Sequence, residues 1–378
     1  MYIRRIRLHN FRNIDAELTL GPGINVFYGR NGQGKTNILE GIHVASTGKS
    51  FRPGRLADLV CFGEEEALVS VLVEEDSVES QVTVELRGGA RQHLVDGNPT
   101  NSLEEVAERL RLVFFGPDDL TLVKGSPSQR RDFLDRAIAV HHPPYQRLLT
   151  GYSRLLRERN NLLKEMGGRR SPPMELMESF EEETARVGGV LIEYRLKYLR
   201  EFIPAAAHFF QEHTGGRLEL VVSYSATIEL GAGEPEREAL SSALLEQLRQ
   251  RRGADSAAGT TSVGPHLDDL ELSVNGRPAR YFASQGEQRQ VAVSFKLGQL
   301  SLWKERFGIL PVLLLDDVSS ELDSERTALL FDLITTWNIQ TIISTTSIPD
   351  VLRRGDAKGH LFKVEDGVVT PVSMVPSD

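Results

Sequence analysis

The 378-residue chain has one cysteine, Cys61. No internal disulfide can form and no paired-cysteine metal site exists, which fits a reducing compartment. Long apolar runs are also missing, and nothing approaches the 18 or so residues that span a bilayer. The opening Met1-Tyr2-Ile3-Arg4-Arg5 passes straight into alternation, without the apolar stretch of a secretion signal. These absences point to the cytoplasm and away from secretion or a membrane. A basic surplus is lacking too: 44 Lys and Arg face 53 Asp and Glu, a formal charge of −9 that on average repels phosphate. The average conceals segregation. Residues 147–170 hold seven basic side chains (Arg147, Arg154, Arg157, Arg159, Lys164, Arg169, Arg170) against Glu158 and Glu165, while residues 175–193 hold six acids against Arg186. A solvated helix paired with an acidic neighbour and a strip facing nucleic acid are equally good readings of this pattern.

What is present is the ordinary composition of a globular protein, 40% hydrophobic and 26% charged, at a length that suggests two or three domains. Ile3, Ile6 and Leu8, then Ile24 to Tyr28, read as short strands. The spacing of Ile38, Leu39, Ile42 and Ala45 predicts a helix ending near Gly48. Residues 67–96 read as an antiparallel meander turning at Gly88-Gly89 and Asp96-Gly97-Asn98. The stripe from Tyr145 through Tyr152 to Leu163, and a longer one from about Met174 to Phe210, predict two helices separated by Gly167-Gly168 and Pro172-Pro173. They suit an antiparallel arm or a helix pair inside a globular core equally well. Gly253 to Ser262 is the best candidate for a boundary or mobile loop. Beyond it strands and helices alternate, with Val312 to Leu315 as a buried strand.

Gly29-Arg30-Asn31-Gly32-Gln33-Gly34-Lys35-Thr36, followed by Asn37, matches G-x-x-x-x-G-K-[ST] between an expected strand and an expected helix. Glycines let backbone amides close on phosphate oxygens at the helix N-terminus. Lys35 is placed to reach the β- and γ-phosphates and the Thr36 hydroxyl to ligate Mg²⁺. Such a loop needs an acid at the end of a neighbouring buried strand, and Leu313-Leu314-Leu315 leads into Asp316-Asp317. Asp316 suits Mg²⁺; Asp317 suits an attacking water. Strand alternation predicts that the two carboxylates point apart. Lys35 and Asp316 are 281 residues apart, so something large is inserted between the motifs. Thirty-two residues before Asp316, Ser284-Gln285-Gly286-Glu287-Gln288-Arg289 opens another expected helix, a plain N-cap or a second phosphate-ready terminus.

Together these motifs resemble the ABC-type ATPase heads of the SMC and DNA-repair group, and within it the RecF family, over essentially the whole chain. The strings that carry the likeness are Leu8-His9-Asn10-Phe11-Arg12-Asn13, Gly116-Pro117-Asp118-Asp119-Leu120, Val123 to Pro127 with Arg130 to Asp135, Gly264-Pro265-His266-Leu267-Asp268-Asp269, and Asp316 to Asp323. The resemblance implies an α/β ABC-type P-loop ATPase lobe with an inserted, mainly helical arm or lid domain. The expected division is 1–125, 126–259 and 260–378. It also implies ATP and Mg²⁺ as cofactors and an ATP-dependent homodimer. In that dimer Lys35 and Thr36 act in cis, and Ser284, Gly286 and Gln288, within the 284–288 signature, act in trans. Ser320 and Asp323 form a D-loop. Non-sequence-specific binding of double-stranded and gapped or junction DNA is implied, with RecR, acting with RecO, as partner. Candidate DNA contacts are Arg52, Arg154, Arg157, Arg159 and Lys164; Arg4, Arg5, Arg7 and Arg12 suit a structural role at least as well, and Arg52 could equally face nucleotide.

Three departures stand out. ABC transporters carry Glu where this chain has Asp317, their switch histidine is replaced near Thr345-Thr346, and Leu267 stands where the family often has Arg. Slow, DNA-stimulated turnover is the expectation, acting as a timer in recombinational repair. The rival readings are a clamp with negligible hydrolysis, a transporter ATPase subunit, and a metabolic P-loop kinase or transferase, the last disfavoured by the Ser284 signature.

Overall fold

The computed structural model describes residues 1–120, 122–166, 173–231, 235–317, 324–348 and 359–372. The chain forms two compact units, one of Met1–Leu120 with Leu300–Asp378 and one of Thr121–Gln299. The expected α/β lobe with an inserted helical part is present.

In the first unit, β1 (Tyr2–Phe11) pairs antiparallel with β2 (Ile14–Thr19) and β4 (Glu66–Glu75). The sheet continues through β5 (Val78–Arg87), β6 (Ala90–Val95) and β7 (Asn98–Thr100) in the order β2-β1-β4-β5-β6-β7. Ile6 and Leu8 are buried with Arg5 and Arg7 outward, as the pleat requires, and a register shift between Ile3 and Arg5 lets Ile3 face inward as well while Arg4 stays outside. Arg4 pairs with Glu74 and Glu79, and Arg5 with Glu17, so both serve neighbouring strands.

The second sheet runs β15-β14-β3-β13-β12-β8. Its strands β3 (Ile24–Tyr28), β8 (Leu112–Phe115), β12 (Val312–Asp316), β13 (Thr341–Thr345) and β14 (Gly359–Glu365) are parallel, with β15 (Val368–Val372) antiparallel at the edge. All five residues of β12 and of β13 are buried, as continuous aliphatic runs demand in a sheet covered on both faces. Helix α1 (Lys35–Thr47) packs against strands of both sheets, and Ile38, Leu39 and Ile42 share one core with Leu8, Val69, Phe27, Leu314 and Ile342. Each such aliphatic contributes about 1.5–3 kcal/mol on burial, which ties α1 firmly in place. The unit also holds α2 (Leu103–Arg109), α3 (Pro117–Leu120) and α10 (Ser324–Thr336).

The second unit contains α4 (Pro127–His141), α5 (Pro144–Met166), α6 (Met174–Thr214), α7 (Arg237–Ala258) and α8 (Ala279–Phe282). It also holds a small sheet of β9 (Leu220–Ser225), β10 (Asp269–Val274) and β11 (Arg277–Pro278) in the order β11-β10-β9. The division near 299 falls within α9 (Gln285–Phe307). Residues 260–299, expected with the ATPase lobe, group with the helical unit because β10 pairs with β9 and Arg130 holds Asp269 in a two-pronged ion pair at 2.7 Å.

The helices do not make a bare two-helix arm. Ile192 and Ala185 of α6 bury against Leu240, Leu244 and Leu248 of α7, and Leu162 and Leu163 of α5 against Met177. Residues 253–262 correct an expectation as well: α7 runs on to Ala258, and its Asp255, 1% exposed, accepts from the Ser262 hydroxyl and from Arg159. Small residues there make room for a buried charge rather than a mobile loop.

Candidate functional site

β3 delivers the chain into the loop of residues 29–34, and Gly34 opens α1 in a left-handed conformation. Lys35 is nearly buried, and its ammonium donates to the carbonyls of Gly29 (2.8 Å) and Arg30 (2.7 Å) of its own loop. Burial lowers the Lys35 pKa, an effect opposed by the carboxylates of Asp317 and Asp316. The Thr36 hydroxyl donates to Asp316 Oδ1 at 2.8 Å. Those two residues are 280 positions apart in sequence, and this bond closes the phosphate loop onto the end of β12.

Asp316 is 6% exposed, and burial raises its pKa against the pull of hydroxyl donors on Ser344 and Thr36 and the charge of Arg52. Ser344 sits at the end of β13, the strand between β3 and β12, and donates to Asp316 Oδ1 at 2.5 Å. Its role was not visible in the sequence; the available signal was a hydroxyl ending an otherwise aliphatic strand. A cation held near Asp316 and an anion near Lys35 would each relieve a perturbed group, so the pair is suited to an anionic ligand with its divalent ion. Thr36 Oγ1 and Asp316 are hard oxygen donors of the kind Mg²⁺ takes alongside phosphate oxygens. Among the described residues no cluster of three or more His, Cys, Asp and Glu stands ready for a metal elsewhere.

Strand alternation does not set the direction of Asp317. β12 ends at Asp316, and Asp317 turns into the left-handed region at φ 51°, its amide donating to the Ser344 carbonyl. A non-glycine residue held there costs of order 1 kcal/mol or more, and such strain concentrates at functional sites.

A second shell of charge surrounds α1. Glu40, fully buried one turn past Asn37, receives Arg12 through two nitrogens (2.8 and 3.1 Å), the Ser50 hydroxyl (2.5 Å) and Arg52 (3.4 Å). Arg52 also donates to Asn37 Oδ1 at 2.7 Å, so it lies beside the phosphate loop. Glu40 carries no motif signal; only its place on the inner face of α1 marked it.

Phosphate loop, Asp316, Asp317 and Arg52 are thus brought together in the first unit. The signature residues lie in the second. Ser284 and Glu287 cap α9 reciprocally, Ser284 N–H to Glu287 Oε2 at 2.6 Å and Glu287 N–H to Ser284 Oγ at 3.3 Å. Ser284 and Gln285 are exposed, Gly286 and Glu287 half-buried, and Gln288 is buried with its side-chain amide on the Ala283 carbonyl. Ser320 and Asp323 lie outside the described residues.

Of the basic candidates on α5, Arg154, Arg157 and Lys164 are exposed. Arg159 is not. Fully buried, it bonds Asp255 (2.9 Å), Thr261 (2.7 Å), Glu181 (3.1 Å) and the Leu248 carbonyl (3.0 Å). A DNA contact does not fit this arginine, because its withdrawal would leave the buried carboxylate of Asp255 without a cation and take one of two from Glu181.

A phosphate loop joined through a hydroxyl to an acid two strands away, with a helical insert between the motifs, defines a P-loop ATPase head. The family profile described as RecF/RecN/SMC N terminal domain matches residues 2–370. The DNA replication and repair protein RecF of Desulforudis audaxviator (strain MP104C) is 41% identical over 327 residues, 86% of this chain and 89% of that protein. That of Myxococcus xanthus (strain DK1622) is 37% identical over 348 residues, 92% of this chain and 91% of that protein. A solved structure of the recombination mediator protein RecF-ATPrS in the RecFOR pathway superposes with a TM-score of 0.89 at 33% identity, covering 98% of each chain. The chain belongs to the RecF family of DNA replication and repair proteins. The Smc head bound to the C-winged helix domain of ScpA, at 17% identity and TM-score 0.58, shares the fold.

Proposed function

We propose that this protein is an ATP-gated DNA clamp of recombinational repair, acting as a recombination mediator in the RecFOR pathway. The observation that carries the reading is the Thr36–Asp316 hydrogen bond, which assembles the two halves of a nucleotide site from opposite ends of the chain. Relatives solved as RecF-ATP and RecF-ATPrS, superposing with TM-scores of 0.88 and 0.89, support ATP as the ligand.

In this reading the amides of residues 29–34 receive the phosphates, Lys35 gives up its loop carbonyls for the β- and γ-phosphate oxygens, and Asn37 lies at the rim. Thr36 and Asp316 hold Mg²⁺, which when bound neutralises phosphate charge. Asp317, fixed by its left-handed backbone, orients the attacking water. Its shorter reach relative to Glu suits slow, DNA-stimulated hydrolysis. Ser284, Gly286 and Gln288 serve the nucleotide of a second copy: the exposed Ser284 at the start of α9 offers a hydroxyl donor that gains a charged partner only while the γ-phosphate is present. Nucleotide hydrolysis then reopens the dimer. Ser320 and Asp323 are assigned to the D-loop.

DNA contacts are assigned to Arg154, Arg157 and Lys164, which helical spacing puts on one exposed face of α5. They address phosphate and carry no base readout. Arg52 is assigned to the nucleotide side because it is bonded to Asn37 and Glu40. RecR, with RecO, is the proposed protein partner.

Sedimentation of the wild type, Lys35→Met and Asp317→Asn with ATP and Mg²⁺ tests the reading. A clamp predicts an ATP-dependent dimer for the wild type, none for Lys35→Met, and a long-lived one for Asp317→Asn. A wild type that stays monomeric with ATP bound would sink it.

A further inference from the structure

The turn joining β14 to β15 is more than 330 residues from the phosphate loop in sequence, yet the two are bonded. The Asp366 amide donates to Gln33 Oε1 at 2.6 Å, and the Gly367 amide donates to the Gln33 carbonyl at 3.0 Å. Earlier in β14 the Val364 carbonyl lies so close to Gly29 that a methyl group there would overlap it. Asn13, from the turn between β1 and β2, holds the loop as well. Its side-chain amide donates to the Gln33 carbonyl at 3.5 Å, and its Oδ1 accepts from Asn37 at 2.6 Å. Gly367 itself packs on the Asn13 carbonyl oxygen, where a Cβ would overlap, and its φ of +82° disfavours any other residue. Gln33 is therefore gripped by both ends of the chain, while Asn31 and Gly32 beside it are exposed.

Backbone amides do the binding in such a loop, so their directions depend on whatever holds the loop's carbonyls and side chains. From this grip we infer that the Asp366–Gly367 turn is a positioning element for nucleotide binding, bracing the phosphate loop through Gln33. The inference rests on the nucleotide reading of the site and adds to it a segment that carries no ATPase motif.

Equilibrium ATP binding is measured for the wild type, Gly367→Ala and Gly89→Ala. Gly89 is a matched control: it sits in the β5–β6 hairpin turn at φ +76° with open space where its Cβ would go. Gly367→Ala is expected to weaken ATP about tenfold, the effect of losing one well-aimed amide hydrogen bond to a charged phosphate oxygen, whereas Gly89→Ala stays near wild type. Hydrogen exchange supplies a second readout. ATP with Mg²⁺ should slow exchange at the Asp366 and Gly367 amides of the wild type. If Gly367→Ala does not fold, Gln33→Met removes only the acceptor for Asp366; it should weaken ATP and abolish that protection, and Gln33→Glu, which keeps the acceptor, should restore the protection. A wild type that fails to bind ATP overturns the nucleotide reading itself. A wild type that binds, with Gly367→Ala or Gln33→Met binding equally well and amide protection unchanged, overturns the brace alone.

Discussion

Arg159→Met is the perturbation that most directly tests how the helical unit is built. The substitution keeps an unbranched side chain of similar length but removes four hydrogen bonds, to Asp255, Thr261, Glu181 and the Leu248 carbonyl. Both carboxylates are buried, Glu181 at 0% and Asp255 at 1% exposure. Breaking a buried ion pair by deleting one partner costs about 3–5 kcal/mol, mostly because the surviving charge is stranded. The structure places this case toward the lower end. Glu181 keeps Arg252 on both oxygens (2.5 and 3.1 Å), and Asp255 keeps the Ser262 hydroxyl (2.6 Å). A loss of about 3 kcal/mol is the expectation.

Urea unfolding reads this out unit by unit. The chain's two tryptophans, Trp303 and Trp337, both lie in the first unit, whereas α5, α6 and α7 dominate helical ellipticity from the second. With a slope of about 1–3 kcal/mol/M, the ellipticity midpoint should fall by roughly 1–3 M, and the tryptophan transition by much less. Adding Asp255→Asn to Arg159→Met should recover part of the loss, since one stranded charge is then gone. An unchanged ellipticity midpoint in Arg159→Met, together with weakened DNA binding, would refute the burial argument and return Arg159 to the surface.

Other expectations follow from the same geometry. Replacing Arg154, Arg157 and Lys164 by Ala should make the dependence of log affinity for duplex DNA on log salt shallower by about 2–3, near 0.9 per lost phosphate contact; an unaltered slope would remove these residues from the interface. Glu40→Gln, at fully buried Glu40, leaves Arg12 and Arg52 with a neutral partner and should destabilise the first unit by about 2–4 kcal/mol in tryptophan-detected unfolding. Ser344→Ala removes a donor to Asp316 and should raise that carboxyl's pKa further, since the hydroxyl now lowers it; Mg²⁺-dependent ATP binding should then weaken most at low pH, as monitored by titration between pH 5 and 8. His266 is half-buried, and desolvation holds its pKa below the ordinary value. The unfolded chain therefore takes up the proton first, and stability contributed by neutral His266 is lost as pH falls below about 6.5 toward the depressed folded value. Urea midpoints that do not fall between pH 7.5 and 5.5 would contradict this.

Much of the nucleotide site was legible in the chain because its parts are local. A G-x-x-x-x-G-K-[ST] string between an apolar strand and an apolar-periodic helix states both its residues and its context, and β3, α1 and β12 lie where periodicity put them. The pairing of Thr36 with Asp316 could be expected from chemistry alone, since each motif needs the other. The single cysteine and the want of membrane-length apolar runs could be read as directly, and no helix among the described residues is long and apolar enough to cross a membrane.

What required the tertiary structure was every question of partnership and burial. A basic residue on a helix reads the same whether it meets solvent or a hidden carboxylate, and only the packing of α5 against α6 and α7 separates Arg159 from Arg154, Arg157 and Lys164. Small, polar residues 253–262 looked like a loop because composition records side-chain size but not that Asp255 is anchored in a protein interior. Nothing local in the sequence says what Glu40, Ser344, Asn13 and the Asp366–Gly367 turn will bond. Their importance comes from contacts made across tens to hundreds of residues, and a one-dimensional periodicity cannot encode which distant backbone amide will find which carbonyl. The sequence by itself thus determined the chemistry that the phosphate loop can perform; folding decided which charges remain available to use it, because desolvation and hydrogen bonding are properties of neighbours in space.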